Sequence, residues 1–232
     1  MLDFIKKKTL WDAWENNLEK EIGARGTFHL KSIQDLTLFA HLKDYSNKSI
    51  AEIGGGNSKI LSALAARNHC FNIEKFEGQG NGPTQEIEIE GVENIIAFLG
   101  EKSGKIPSTA FDVVFSISVV EHVPTEMLDA FLEEGLECLK PGGLWIHAID
   151  LYIEEDPSDW IKERFAAYQK WFSHPDLIPI GDVHPGPIRF TTDMATNPDD
   201  EMFRWGQYAP SLIELRKIAQ SVSIILAGTK RN

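Results

Sequence analysis

Ile50-Ala51-Glu52-Ile53-Gly54-Gly55-Gly56-Asn57-Ser58 is the stretch that decides how this 232-residue chain is read. A short apolar run ends in an acid and a tight glycine turn, and Lys59-Ile-Leu-Ser-Ala-Leu-Ala-Ala-Arg67 then reads as a helix. Glycine at 54 and 56 removes side chains where backbone must turn sharply and approach a ligand closely. Strand, turn and helix make the first βα unit of a nucleotide-binding α/β sheet, with the ligand at the carboxyl end of the strand.

Spacing narrows the ligand. A dinucleotide fingerprint begun at Gly54 needs glycine or alanine at position 59, and the chain has Lys59 there. An NAD-dependent oxidoreductase is therefore the weaker reading. Charge narrows the partners. Lys plus Arg number 23 against 35 Asp plus Glu, a net charge of -12, which disfavours a broad basic face for nucleic-acid phosphates or an anionic membrane. Neither nucleic acid nor membrane is an expected partner. Cys70 and Cys138 are the only cysteines; they lack metal or redox spacing and read as buried small apolar residues. Lys6-Lys7-Lys8 is not followed by an apolar signal segment, and no run of 18 apolar residues occurs. A soluble cytoplasmic protein of one domain is expected.

Working outward, residues 3–22 and 30–42 carry apolar residues at three- and four-residue steps, which predicts two amphipathic helices ahead of the sheet, with Trp11 and Trp14 as core. Cys70–Ile73 reads as a second strand ending at Glu74. From there to Glu93 the chain is polar and glycine-rich. Gly78-x-Gly80-x-Gly82-Pro83 mimics a phosphate loop, but no helix follows it, so it reads as a loop. Ile95–Leu99, Phe111–Ile117 and Leu144–Ile149 are further strands, short apolar runs suited to burial on two faces. A helix begins at Pro124 and is stopped by Lys140-Pro-Gly-Gly143. Strands alternating with helices argue for a mostly parallel, doubly wound α/β sheet. Prolines interrupt residues 151–210, where only 158–172 look firmly helical. Ser211 can cap a helix to about Gln220, and Ser223–Ala227 closes the pattern as a last strand.

Glu52-x-Gly54-x-Gly56-x-Ser58 resembles the E/D-x-G-x-G-x-G signature of class I S-adenosylmethionine-dependent methyltransferases, with Ser58 at the last glycine. Two more blocks follow in order: Phe111-Asp-Val-Val-Phe-Ser-Ile-Ser-Val-Val-Glu-His-Val123, similar to members of ubiquinone-biosynthesis and glycan type, and Lys140-Pro-Gly-Gly143 before a strand. The resemblance covers Ser49 to about Tyr152. It implies a seven-stranded Rossmann-like sheet with an N-terminal helical cap (1–46), a cofactor-binding core (47–150), a substrate-cover insertion (151–210) and a final helix and strand (211–232).

By the same resemblance, S-adenosyl-L-methionine is the cofactor, with Gly54 and Gly56 along its methionine and ribose, Glu52 helping to hold the amino group, and Glu74 on the ribose hydroxyls. A carboxylate can accept both vicinal hydroxyl protons; Glu77 is the alternative. Glu101 stands where the family has an acid for the adenine amino group, and backbone at Ser116 and Ile117 faces the cofactor. On the acceptor side, Asp150 is favoured as acid or base, with His147 second and His122 third. His147 and Asp150 differ by three, which in a continuing strand puts them on opposite faces. Asp150, Glu154, Glu155 and Asp156 read as a solvated acidic loop, and His174, Asp176, Asp182 and His184 follow no ligand spacing, so no metal is expected. The aromatic insertion, Trp160, Phe165, Tyr168, Trp171 and Phe172 with Phe203, Trp205 and Tyr208, is expected to cover a small-molecule or saccharide acceptor methylated at oxygen. A non-catalytic cofactor-binding module of the same fold is the alternative.

Overall fold

The computed structural model describes residues 1–5, 12–23, 30–78, 82–154, 156–183 and 219–232. Its strands are β1 (Leu2–Phe4), β2 (Ser49–Ile53), β3 (His69–Ile73), β4 (Val92–Ile95), β5 (Phe111–Ile117), β6 (Leu139–Glu154), β7 (Leu177–Pro179) and β8 (Ala219–Lys230). Its helices are α1 (Leu18–Glu21), α2 (Leu30–Leu42), α3 (Lys59–Leu64), α4 (Leu128–Cys138) and α5 (Asp159–Trp171). Among the described residues the strands form one sheet of order β1-β8-β6-β5-β2-β3-β4, with β7 also on β8. Strands β2 to β6 pair in parallel, while β8 runs antiparallel to β6. The order reverses at β2, which lies between β3 and β5, and this opens a crevice beyond the carboxyl ends of those strands.

Burial on both faces explains the apolar runs. Helices α2 and α3 cover one face through Leu36, Phe39, Ile60 and Leu61. Helices α4 and α5 cover the other through Phe131, Leu132, Phe165 and Trp171. Trp145 is fully buried there, stacked edge-on to Phe131 at 5.7 Å. It fits because Gly135 of α4 has no Cβ; one placed there would lie 2.3 Å from the indole ring.

Four expectations shift. Residues 3–22 are not one helix: Leu2–Phe4 is an edge strand whose residues pair with Leu226, Ile225 and Ile224, so Leu2 is buried by period-two pairing rather than on a helical stripe. The third strand is Val92–Ile95, three residues earlier than the apolar run suggests. That run has a different use, since Ala97 and Phe98 leave the sheet to line the crevice and Leu99 is buried. Strand β6 runs from Leu139 through Glu154, well past Leu144–Ile149, because the long β8 pairs with it as far as Glu154. Its first residues are irregular, with a register shift opposite Phe111 to Val113 that takes in Lys140–Gly143. Ala219 and Gln220 belong to β8 rather than to a helix. The expected helix from Ser211, together with Trp11, His184, Phe203, Trp205 and Tyr208, lies outside the described residues. No described helix is long and apolar enough to cross a membrane, and no group of three or more His, Cys, Asp or Glu among the described residues converges as metal ligands would.

Candidate active site

The crevice holds a cavity of about 330 Å3, within the range of small-molecule sites. The β2–α3 turn supplies one wall. Gly54 has φ +64 and a Cβ there would stand 2.6 Å from Val119 Cγ2, so both its conformation and its space belong to glycine. Gly55 also lines the cavity, whereas Gly56 does not; with φ +52 it turns the chain beside Pro83 toward α3. Ser58 caps that helix by accepting from Leu61 N at 3.0 Å. Serine at this family glycine thus has work of its own, because its hydroxyl also donates to Glu52.

Glu52 stands behind Gly55 rather than on the cavity wall. Its carboxyl is buried, and desolvation pushes its pKa up to about 7 against the usual 4.5, more than Lys31 and Ser58 pull it down. The unfolded chain ionises this group first as pH rises, so its contribution lowers stability between pH 4.5 and about 7 and is constant outside that window. The difference amounts to about 3 kcal/mol at one decade per 1.36 kcal/mol. Glu52→Gln is expected to remove this slope. Urea midpoints of wild type and variant at pH 5 and pH 8 would show it, and parallel changes in both proteins would count against it.

Glu74, at the end of β3, lines the cavity with Glu77. Oε1 of Glu74 accepts from Lys75 N at 2.9 Å and Phe76 N at 3.2 Å, which fixes the carboxylate at the cavity edge. Ile53, Ile73, Ala97, Phe98 and Val119 make the remaining surface largely apolar. Gly82 and Pro83 close one side, drawn in by the bond from Gly78 N to Pro83 O at 3.1 Å. Glu101 does not line the cavity itself, but its side chain reaches Nζ of the cavity-lining Lys75 at 2.7 Å. Ile117, Ser118 and Val119 line the wall at the end of β5, but Ser116 points into the core.

Ser116 Oγ meets His147 Nδ1 at 2.7 Å, and the imidazole packs 4.0 Å from Trp145. His147 is fully buried on the α4–α5 face, and desolvation lowers its pKa to about 3. It is a neutral core histidine that does not reach the cavity. Because β6 continues past it, Asp150 takes the opposite face, toward α2. There Gln34 Nε2 donates to Asp150 Oδ1 and, at 2.8 Å, to Ser223 Oγ. Ser118 Oγ donates to Gln34 Oε1 at 2.8 Å and approaches Asp150 Oδ1 at 3.4 Å. Asp150 thus stands one hydrogen bond behind the wall at Ser118. His122 lines the cavity itself.

Several residues of this site carry no sequence motif. Lys31 lines the cavity from α2, three residues before Gln34 and on the same helical face. Arg164 of α5 is buried and fastens the turn before α4, donating to Val120 O and Val123 O, each at 2.6 Å, to Thr125 Oγ1 at 3.1 Å and to Tyr168 Oη at 3.0 Å. Phe165, Tyr168 and Trp171, expected over the acceptor, are core residues packed under β6; Trp160 is exposed.

Residues 51–147 match the sequence family described as a methyltransferase domain. Those residues form a methyltransferase domain. Its cofactor is S-adenosylmethionine, and the residues present suit it: a glycine wall, a fixed carboxylate at the end of β3 and an apolar floor. A tRNA U34 carboxymethyltransferase of Desulfotalea psychrophila is 32% identical over 123 residues, covering 46% of this chain and 33% of that protein. The chain therefore spans about a third of the length of this curated relative. Solved structures share the fold of the methyltransferase domain. One is a geranyl diphosphate C-methyltransferase from Streptomyces coelicolor A3(2), with TM-score 0.57, 16% identity, and coverage of 87% of this chain and 78% of that one. Another is phosphoethanolamine N-methyltransferase 2 of Haemonchus contortus, with TM-score 0.58, 15% identity, and coverage of 86% and 52%.

Proposed function

We propose that this protein transfers a methyl group from S-adenosylmethionine to a hydroxyl oxygen of a small-molecule or saccharide acceptor. The observation that carries this reading is the position of Asp150, a half-buried carboxylate one hydrogen bond behind the wall of the cofactor cavity. When bound, the cofactor supplies a methyl group on a sulfonium sulfur. Gly54 and Gly55 let it lie against the backbone, and Glu74 accepts from its ribose hydroxyls. The apolar wall keeps water from the transfer, where holding two groups in contact supplies most of the effect. Asp150 takes the proton that a hydroxyl acceptor must lose.

The matched relative is a tRNA-modifying enzyme by name. A nucleic-acid acceptor is disfavoured for this chain by its net charge of -12, which leaves little basic surface for phosphates. Calorimetry with S-adenosylhomocysteine and NAD in parallel tests the cofactor assignment, with heat expected from the first alone. Glu74→Gln is expected to weaken that binding about tenfold, the scale of a hydrogen bond to a charged acceptor. No heat from S-adenosylhomocysteine with the wild type would overturn the reading. Tritiated-methyl assays on saccharides, aromatic alcohols and unmodified tRNA would then separate the acceptors. Incorporation into tRNA alone would replace the proposed acceptor class, and silence throughout would favour a cofactor-binding module.

A further inference from the structure

We infer that Lys31 and His122 make the β5 end of the cavity an anion subsite, so that the acceptor carries a carboxylate or phosphate group held there while its hydroxyl meets the cofactor. The inference rests on the methyl-transfer reading above and adds a charge to the acceptor class which that reading leaves open.

The cavity has two ends, because its walls come from strands on either side of β2. Glu74, Lys75 and Glu77 line the β3 end. The cation there is already matched, since Lys75 Nζ lies 2.7 Å from Glu101 and 3.9 Å from Glu77. With β2 between them, β3 and β5 stand about 10 Å apart, two strand spacings. Ser118, Val119 and His122 line the β5 end, joined by Lys31. Two hydrogen bonds bring the basic residues to it. Ser118 Oγ donates to Gln34 Oε1 at 2.8 Å, and Lys31 precedes Gln34 by three residues of α2, about 4.5 Å along the axis. His122 N donates to Val119 O at 2.9 Å, which folds the turn after β5 back onto the same wall.

No acid is part of the wall at this end. Among the described residues the acids that line the cavity are Glu74 and Glu77, both at the β3 end. Glu52, Glu121 and Asp150 do not line it, and desolvation raises the pKa of each. Lys31 has an ion pair with Asp35 at 3.5 Å, but its side chain is half exposed and an ammonium has three donors, so it can also hold a ligand. His122 is exposed as well, and imidazole offers a ring N–H in either protonation state. Glu74 takes the ribose in the reading above, which leaves the opposite end to the sulfonium and the acceptor. A sulfonium near an ammonium favours an anionic guest over a neutral or cationic one. The cofactor's own carboxylate travels with an ammonium, so the balancing charge comes with the acceptor.

Benzoate and phenyl phosphate probe the subsite without an alcohol to methylate, and benzamide is the neutral isostere of the first. Calorimetry on the full chain saturated with S-adenosylhomocysteine is expected to give each anion an affinity about tenfold above that of benzamide, the scale of a hydrogen bond to a charged group. The preference should shrink as sodium chloride rises from about 50 mM to about 500 mM, because exposed charges are screened. Lys31→Met and His122→Gln, both at exposed side chains, are each expected to cut it to less than about threefold, whereas Lys31→Arg, which retains the charge, should keep it. S-adenosylhomocysteine affinity should shift less than about twofold in all three. A second arm compares S-adenosylhomocysteine with 5′-methylthioadenosine, which lacks the amino-acid end. If Lys31→Met weakens the first about tenfold and spares the second, the lysine holds the cofactor's own carboxylate and the acceptor charge is overturned. No heat from either anion up to about 20 mM, affinity equal to that of benzamide, or a preference unchanged in the folded methionine and glutamine variants overturns the subsite. A wild type that does not bind S-adenosylhomocysteine overturns the cofactor reading instead.

Discussion

Gly54→Asp is expected to abolish S-adenosylhomocysteine binding, leaving no measurable heat at ligand concentrations about a hundred times the wild-type Kd. Three physical effects add. The backbone at 54 has φ +64, where a non-glycine residue costs about 1 kcal/mol. The new Cβ would lie 2.6 Å from Val119 Cγ2, so Val119 must leave its place in the wall. The new carboxylate would enter a cavity already edged by Glu74 and Glu77, against a ligand whose own carboxylate must fit there. Gly56→Ala separates these effects. Its φ is +52, but its nearest neighbour would be Pro83 Cδ at 3.6 Å and it does not line the cavity. The expected cost there is about 1 kcal/mol of stability with less than about threefold loss of affinity. Equal loss of binding in both variants would mean that turn conformation, not the wall, governs the site.

Arg164→Met is expected to lower stability by about 3 kcal/mol, read as a fall in the urea midpoint with unchanged slope. Methionine keeps the apolar stem packed in α5 but removes a guanidinium that is 3% exposed and serves four acceptors. Val120 O would keep only the bond from Val123 N at 3.1 Å, and Val123 O would lose its guanidinium donor, at a cost of about 1 kcal/mol or more. Since His122 and Val123 line the cavity, S-adenosylhomocysteine affinity should also fall, by about fivefold. Arg164→Lys, which can keep one carbonyl but not the whole fork, should fall between. A midpoint shift below about 1 kcal/mol in the methionine variant would show that the turn holds itself.

The glycine turn at the cavity is legible in sequence because its residues are consecutive, although Gly55 and not Gly56 joins Gly54 in the wall. Ile50 to Ser58 must be strand, turn and cap in that order, and Ser58 shows how a departure from the glycine pattern is used, capping α3 and holding Glu52. Glu74 follows from the same local logic, one residue past the end of β3. Local pattern misleads where one residue type serves two purposes. His147 looks reactive beside Asp150, yet a strand that runs through Glu154 sends the two to opposite faces, and burial makes the histidine neutral core. Ile95 to Leu99 is apolar because part of it lines the cavity, and Phe165, Tyr168 and Trp171 are aromatic because they pack under β6.

The amino-acid order by itself determined a parallel α/β sheet, the glycine wall and the carboxylate at the end of β3, since backbone conformation and neighbouring side chains dictate each of them. Tertiary structure alone decided what stands behind the cavity wall at Ser118. Gln34, Ser118 and Asp150 come from α2, the end of β5 and β6, and no local spacing relates them. They meet because β5 and β6 are adjacent in the sheet and α2 covers the face to which Asp150 turns. Desolvation there raises the carboxyl pKa of Asp150, a property that the residue does not have in the open chain.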